Sequence, residues 1–253
     1  MAAGTLDNIW GHFMKRFFLI LIALVIGAAL CGAAYVAVSP YHIKLRESLQ
    51  DPARRQEAIA QSIDLEKTRW RAMRGDKFAQ YRLGRHFSSG DLGFKSLKEA
   101  IKWYRKAAEH DHPAACATMA MYYFLGEGVP KDEEAGAREL QRAAGGGIGA
   151  ADDIIGVLDI GGIGVPQDLQ GGVDLLKKAH GSDPIQIGMD MQQKLAEVYA
   201  LPREQRDAKL AEVSAAAKSD IRARLPKLLA DLRGALDSLA AQPDPVEPLA
   251  AAK

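Results

Sequence analysis

The chain has 253 residues, 48% hydrophobic and 26% charged, and its 33 basic and 32 acidic side chains leave a net charge of +1. That balance argues against a globally basic, nucleic-acid-binding surface. Two cysteines, Cys31 and Cys116, make no disulfide framework and leave the redox compartment open. Such a length holds one or two ordinary domains with a sizeable core.

After a tail over residues 1–16, residues 17–38 read FFLILIALVIGAALCGAAYVAV without a charge. As a helix this run covers roughly 30 Å, the thickness of a bilayer's hydrocarbon core. Lys15 and Arg16 precede it, Ser39 and Pro40 end it, and Tyr35 and Tyr41 stand where interfacial aromatics belong. A cleaved signal would have a shorter apolar region and a small-residue cleavage site. A lipoprotein signal would want Leu and a small residue in the reverse of the order that Ala28 and Leu30 take before Cys31. The expectation is therefore an uncleaved single-pass anchor in contact with lipid. The basic pair before it favours a C-terminal body outside the cytoplasm, although Lys44, Arg46, Arg54 and Arg55 weigh the other way. Small-xxx-small pairs in the span, such as Ala23 with Gly27, would let another helix approach, but an Ala-rich span generates them readily.

Residues 39–78 are expected to be a linker and a capping helix. Asp51-Pro52 starts that helix, Ile59, Ile63, Leu65, Trp70 and Met73 supply a partly buried stripe, and Gly75-Asp76 ends it.

Next comes a 36-residue repeat in units 79–114, 115–150 and 151–181. Ala79, Ala115 and Ala151 open the units; Leu83, Met119 and Ile155 follow, then the small residues Gly84, Ala120 and Gly156. Gly90, Gly126 and Gly162 stay in register, as do Lys106, Arg142 and Lys178. Units two and three share a turn, LGEGVPKD ending at Asp132 and GGIGVPQD ending at Asp168. A period of this length means stacked supersecondary units. Each reads as helix, turn, helix: 79–87 and 96–109 in the first, with Ser96 as cap and glycines stopping the first helix. Gly84, Ala120 and Gly156 are expected where the two helices cross.

AQYRLG followed by SLKEAIKWYRKAAE, and YYFLGEGVPKD followed by the Arg142-Ala143-Ala144 ending, closely resemble Sel1-like repeats, relatives of the tetratricopeptide class. The resemblance covers about Ala79 to Gly181. Unit one departs from it at Asp91-Leu92-Gly93, and unit three places Asp159 where Phe87 and Tyr123 stand. It implies an all-α, right-handed solenoid of helix pairs whose first helices line a concave groove for a protein partner. Similar proteins of this layout are tied to bacterial envelope assemblies for secretion, motility or cell-wall work. Positions pointing away from each pair's core give three columns: Arg82, Thr118 and Ile154; Arg85, Met121 and Val157; His86, Tyr122 and Leu158. They grade from basic to apolar, which suits a peptide with an acidic and an apolar end. The competing reading covers Ile154, Val157 and Leu158 with C-terminal helices, since apolar patches of that size rarely stay exposed.

Residues 182–241 are expected to be capping helices. Ile187, Met189, Met191, Leu195, Val198 and Tyr199 form one helical pattern, and Glu204–Ala240 a long helix that Pro226 kinks or divides. Ile221, Leu225, Leu228, Leu232, Ala235 and Leu239 make a narrow apolar seam, for packing back on the solenoid or for self-association. Residues 242–253, with three prolines, are expected to be disordered.

Chemistry-bearing patterns are sparse. His110, His112 and Cys116 fall short of the four ligands that zinc wants and sit in an inter-helix loop. Gly145-Gly146-Gly147 lacks the strand and Gly-Lys-Ser/Thr of a phosphate loop, and no nucleophile–base pairing stands out. No catalytic residue, cofactor, metal or nucleic acid is expected. The reading is a membrane-anchored scaffold for a protein partner, with a permanent accessory subunit of a larger membrane complex as the alternative.

Overall fold

The computed structural model describes residues 55–91 and 95–240. The expected span over residues 17–38, the Asp51-Pro52 cap and the tail 242–253 lie outside the described residues. Among the described residues no helix is long and apolar enough to cross a membrane. They form helices α1 (Arg55–Met73), α2 (Lys77–Ser89), α3 (Leu97–Glu109), α4 (Pro113–Leu125), α5 (Glu133–Gly145), α6 (Gly149–Gly161), α7 (Leu169–Leu176), α8 (Ser182–Ala200) and α9 (Arg203–Ala240), and no strand. Contacts divide the chain into residues 1–65 with 90–95 and residues 66–89 with 96–253. The first unit contributes only the opening turns of α1 and three turn residues to the described set. The second holds the repeats.

Helices α2–α3, α4–α5 and α6–α7 are three pairs, each packed within itself and against the next. The repeat is visible in the caps. Ser96, Asp132 and Asp168, spaced by the sequence period, each accept a backbone N–H three residues on and so start the second helix of every pair. First helices are started less uniformly: Asp76 Oδ1 accepts from Phe78 and Ala79, His112 Nδ1 accepts from Ala115 at 3.3 Å, and Ile148 offers no side-chain bond.

Within pairs, the expected crossing points are found. A methyl group on Gly84 would stand 2.7 Å from the Tyr104 ring, and one on Gly156 would stand 2.8 Å from Leu176. Ala120 has no exposed surface, and Phe124 closes on Gly136 from the other side.

Between pairs, the shared turn does the packing. Gly128 and Gly164 both have φ +70°, and a side chain on either would strike the preceding unit: Ile101 for Gly128, the Glu133 carbonyl for Gly164. Arg142 ties units one and two by donating to the Ala108 carbonyl and, at 2.7 Å, to Asp111. Unit three is closed by the buried Asp153, which accepts from the backbone N–H of His180 at 2.9 Å and of Gly181 at 3.0 Å. Its second helix has 8 residues against 13 in α3 and α5.

After unit three, α8 packs on α6 and α7, and α9 returns across α6 to α4. Packing back on the repeats was one of the two uses weighed for this segment. Two expectations about α9 need correction. Pro226 does not divide it: all 38 residues form one helix. An interior proline costs about 3 kcal/mol, but each buried Leu or Ile returns about 1.5–3 kcal/mol. Nor is the seam narrow, because Leu239 is 45% exposed and Leu229 and Leu236 join the buried set. Ile221, Leu225, Leu228, Leu229, Leu232 and Leu236 form the broader stripe of a helix lying on a surface.

Candidate protein-interaction surface

The nine sequence-derived positions fall on the first helices α2, α4 and α6, but they do not form an open groove. Thr118, Met121, Tyr122, Ile154, Val157 and Leu158 are all buried, while Arg82, Arg85 and His86 are partly exposed. α9 packs on α6 and α4 but shares no comparable contact with α2, while Thr118 also meets Tyr81 of α2. Covering of the unit-three residues was the competing reading. Burial of Thr118, Met121 and Tyr122 was not foreseen.

Side chains at the α4 end show how the cover is made. Tyr122 lies near Arg233 of α9 and near Glu127; burial raises its phenol pKa, while Arg233 acts in the lowering direction. Tyr81 of α2 is likewise raised by burial, with Arg85 opposing and Asp237 of α9 adding to the rise. Tyr81 stacks on His112 at 4.5 Å and sits 5.5 Å from Tyr104, whose hydroxyl meets that of Ser88 at 3.0 Å. Phe78 adds an edge contact to His112 at 5.0 Å. The result is an aromatic ledge shared by units one and two, with the last turns of α9 near it.

Along α9, polar contacts frame the apolar stripe. Ser214 bonds Gln167 side chain to side chain, and Gln167 also donates to the Ser214 carbonyl at 3.1 Å. Arg222 pairs with Glu133 at 3.2 Å, Lys227 with Asp183, and Arg233 with Glu127 at 3.6 Å. The Asp183 contact raises the Lys227 ammonium pKa. Sequence reasoning missed these residues, although the cations spaced along the outside of the leucine pattern were a readable signal.

The residues considered for metal have other partners. His110 Nδ1 meets Gln80 Oε1 at 2.9 Å, His112 caps α4, and the Cys116 thiol points to the Ala108 carbonyl. Burial pushes that thiol up to about 12, which keeps it protonated.

A family model described as Sel1 repeat matches residues 77–112, 113–147 and 160–179. The gap from 148 to 159 is most of α6, the helix on which α9 mainly rests. Among solved structures, the chain is similar to a Sel1 repeat protein from Oxalobacter formigenes, with 33% identity over 50% of this chain and 98% of that one, at a TM-score of 0.47. It is also similar to a protective antigen present in uropathogenic Escherichia coli strains and displaying an SLR fold, with 32% identity over 45% of this chain and a TM-score of 0.42. The chain spans about a quarter of that antigen, 24% of its length. No curated protein matches the chain. Sel1 repeats are general protein–protein interaction modules. In-register caps, crossing glycines and matched motifs agree: over residues 77–179 this chain belongs to the Sel1 repeat family.

Proposed function

We propose that the chain is a non-enzymatic, membrane-anchored scaffold that recruits or organises a protein partner at a bacterial envelope. The apolar run over residues 17–38 supplies the anchor, and the basic pair before it directs the repeats to the periplasmic side. The observation that carries the scaffold reading is the first-helix face itself. Its apolar part holds a helix, and its basic part, Arg82, Arg85 and His86 beside Tyr81, stays partly exposed.

Photocrosslinking in the native cell tests this. A photoreactive residue at Arg82 is expected to give a discrete protein adduct, and a matched probe at the exposed Lys102 on α3 is expected to give none. No adduct at either position overturns the reading. The anchor is tested separately by alkaline extraction: the full chain should stay with the membrane and a chain lacking residues 17–38 should not.

One observation favours the alternative of a permanent accessory subunit. On α8, Ile185, Met189 and Tyr199 are 39%, 60% and 54% exposed and recur at helical spacing on one side. Equal adducts at Arg82 and Lys102, with a stoichiometric complex after mild-detergent extraction, would decide for the subunit.

A further inference from the structure

The stripe on α9 is concentrated. From Arg203 to Glu212 no residue is buried, Val213 is the first, and all six large apolar anchors lie between Ile221 and Leu236. The large buried side chains of α9 thus lie in its second half.

The framing charges are one-sided. In each of the pairs Arg222 with Glu133, Lys227 with Asp183 and Arg233 with Glu127, α9 supplies the cation and the body that holds it supplies the carboxylate. Opposite signs arranged this way fix register and orientation more than they add affinity. The surface thus states its own preference: an amphipathic helix with leucines at the spacing of Ile221, Leu225, Leu228, Leu232 and Leu236, and cations on its flanks.

From this geometry we infer that the α4–α6 face is a receptor for a basic, leucine-seamed helix of a partner protein, and that α9 is its resident occupant, which the partner's helix displaces. The inference rests on the scaffold reading and gives its partner a chemistry. Two features of α9 make it replaceable. Pro226, in the middle of the anchored stretch, cannot donate to the carbonyl of Arg222, so the resident helix lacks one of its own hydrogen bonds there. Its flanking cations Arg222, Lys227 and Arg233 are half to two-thirds exposed, so their pairs are open to exchange with water and with competing cations. In its favour α9 has a two-residue tether, Leu201-Pro202, which holds it near the face at an effective concentration on the order of millimolar. A free helix must therefore bind better than α9 does or meet a chain whose α9 is weakened.

The experiment uses the full chain and a fluorescent synthetic peptide of residues 218–240, read by anisotropy. A Leu228→Ala/Leu232→Ala chain, with its repeats intact by circular dichroism, should bind the peptide roughly tenfold more tightly than the unaltered chain does. A peptide carrying Arg222→Glu, Lys227→Glu and Arg233→Glu should bind that chain roughly tenfold more weakly than the native peptide. Absence of saturable binding to either chain overturns the inference.

Should the double variant fail to fold, hydrogen exchange of the unaltered chain decides instead. Amides of residues 218–240 should open well before those of α4 and α6; opening together with them makes α9 core and overturns the inference. A dimer on gel filtration, with the peptide excluded, overturns it in favour of exchange between copies of this chain. A chain that crosslinks at Arg82 in cells yet fails these tests keeps the scaffold reading and loses only this one.

Discussion

Units one and three are built on the same helix pair, yet their outer faces differ in kind. In unit one the columns carry Arg82, Arg85 and His86, all partly exposed; in unit three they carry Ile154, Val157 and Leu158, at 3%, 0% and 1% exposure. Backbone geometry does not account for this, since both first helices have 13 residues. The neighbour does: α9 lies on α6 and ends its packing at α4. Polarity in these columns therefore records how much of the face the chain covers with its own helix. A repeat family fixes where side chains point, and each chain decides what meets them.

The sharpest way to break the comparison is to put the same charge into both units of one column. Val157→Asp buries an unpaired carboxylate beneath α9 and should cost more than about 4 kcal/mol, enough to lose cooperative folding. Arg85→Asp, in the same column of unit one, should stay within about 1 kcal/mol. Urea denaturation of the two variants reads the difference, and similar losses would mean that cover does not separate the units. Next in size is Leu232→Ala, which removes a fully buried anchor of α9 and should cost about 2–5 kcal/mol.

Much of this was legible before any coordinates. The crossing glycines, the cap at Ser96 and the two-helix unit follow from local rules that act within about ten residues, and the 36-residue period shows by self-similarity. What α9 does was only half legible. Its leucine pattern promised a partner surface, but the same pattern serves a helix pair, a dimer or a return onto the repeats, and sequence spacing does not choose among them. Division at Pro226 did not occur, because propensity loses to six buried anchors. Thr118, Met121 and Tyr122 were placed on an open groove because nothing local to α4 reveals that a helix from more than a hundred positions later arrives there. The gap in the family match over residues 148–159 falls on α6, the helix that α9 covers.

A smaller effect sharpens the comparison at the crossing points. Gly84→Ala presses a methyl into the Tyr104 ring, which packs at tilted angles against both Tyr81 and Tyr122 and has little room to yield. Gly156→Ala meets Leu176 and Leu175 at the end of a short helix, of which Leu175 is 46% exposed. Overpacking costs about 1–3 kcal/mol, with Gly84→Ala expected in the upper half and Gly156→Ala in the lower. Thermal melts of both variants provide the measurement. Equal costs would show that unit three is as tightly packed as unit one despite its shorter second helix.

The smallest effect concerns two carboxylates whose shifts have opposite signs. At the junction of units one and two, the hydrogen bond from Arg142 lowers the Asp111 pKa, so its contribution is present above the ordinary carboxylate value and fades as pH falls through the lowered one. In unit three, burial and then the charge of Asp168 raise the pKa of Asp159, which stands where the other units have Phe87 and Tyr123. Here the folded chain holds its proton longer than the unfolded one, so stability is lost as pH rises from the ordinary carboxylate value through the raised one. Asp159→Asn removes that loss. The variant should match the parent below this window and exceed it above by less than about 1 kcal/mol, since solvent screens a half-exposed site. Arg142→Ala should do the reverse: beyond a pH-independent loss of its bond to the Ala108 carbonyl, it should cost more near neutrality than at the acid end. Melting temperatures of the two variants between pH 3 and pH 7 should therefore diverge from the parent in opposite directions as pH rises. Parallel curves would mean that neither carboxylate feels the repeat in which it sits.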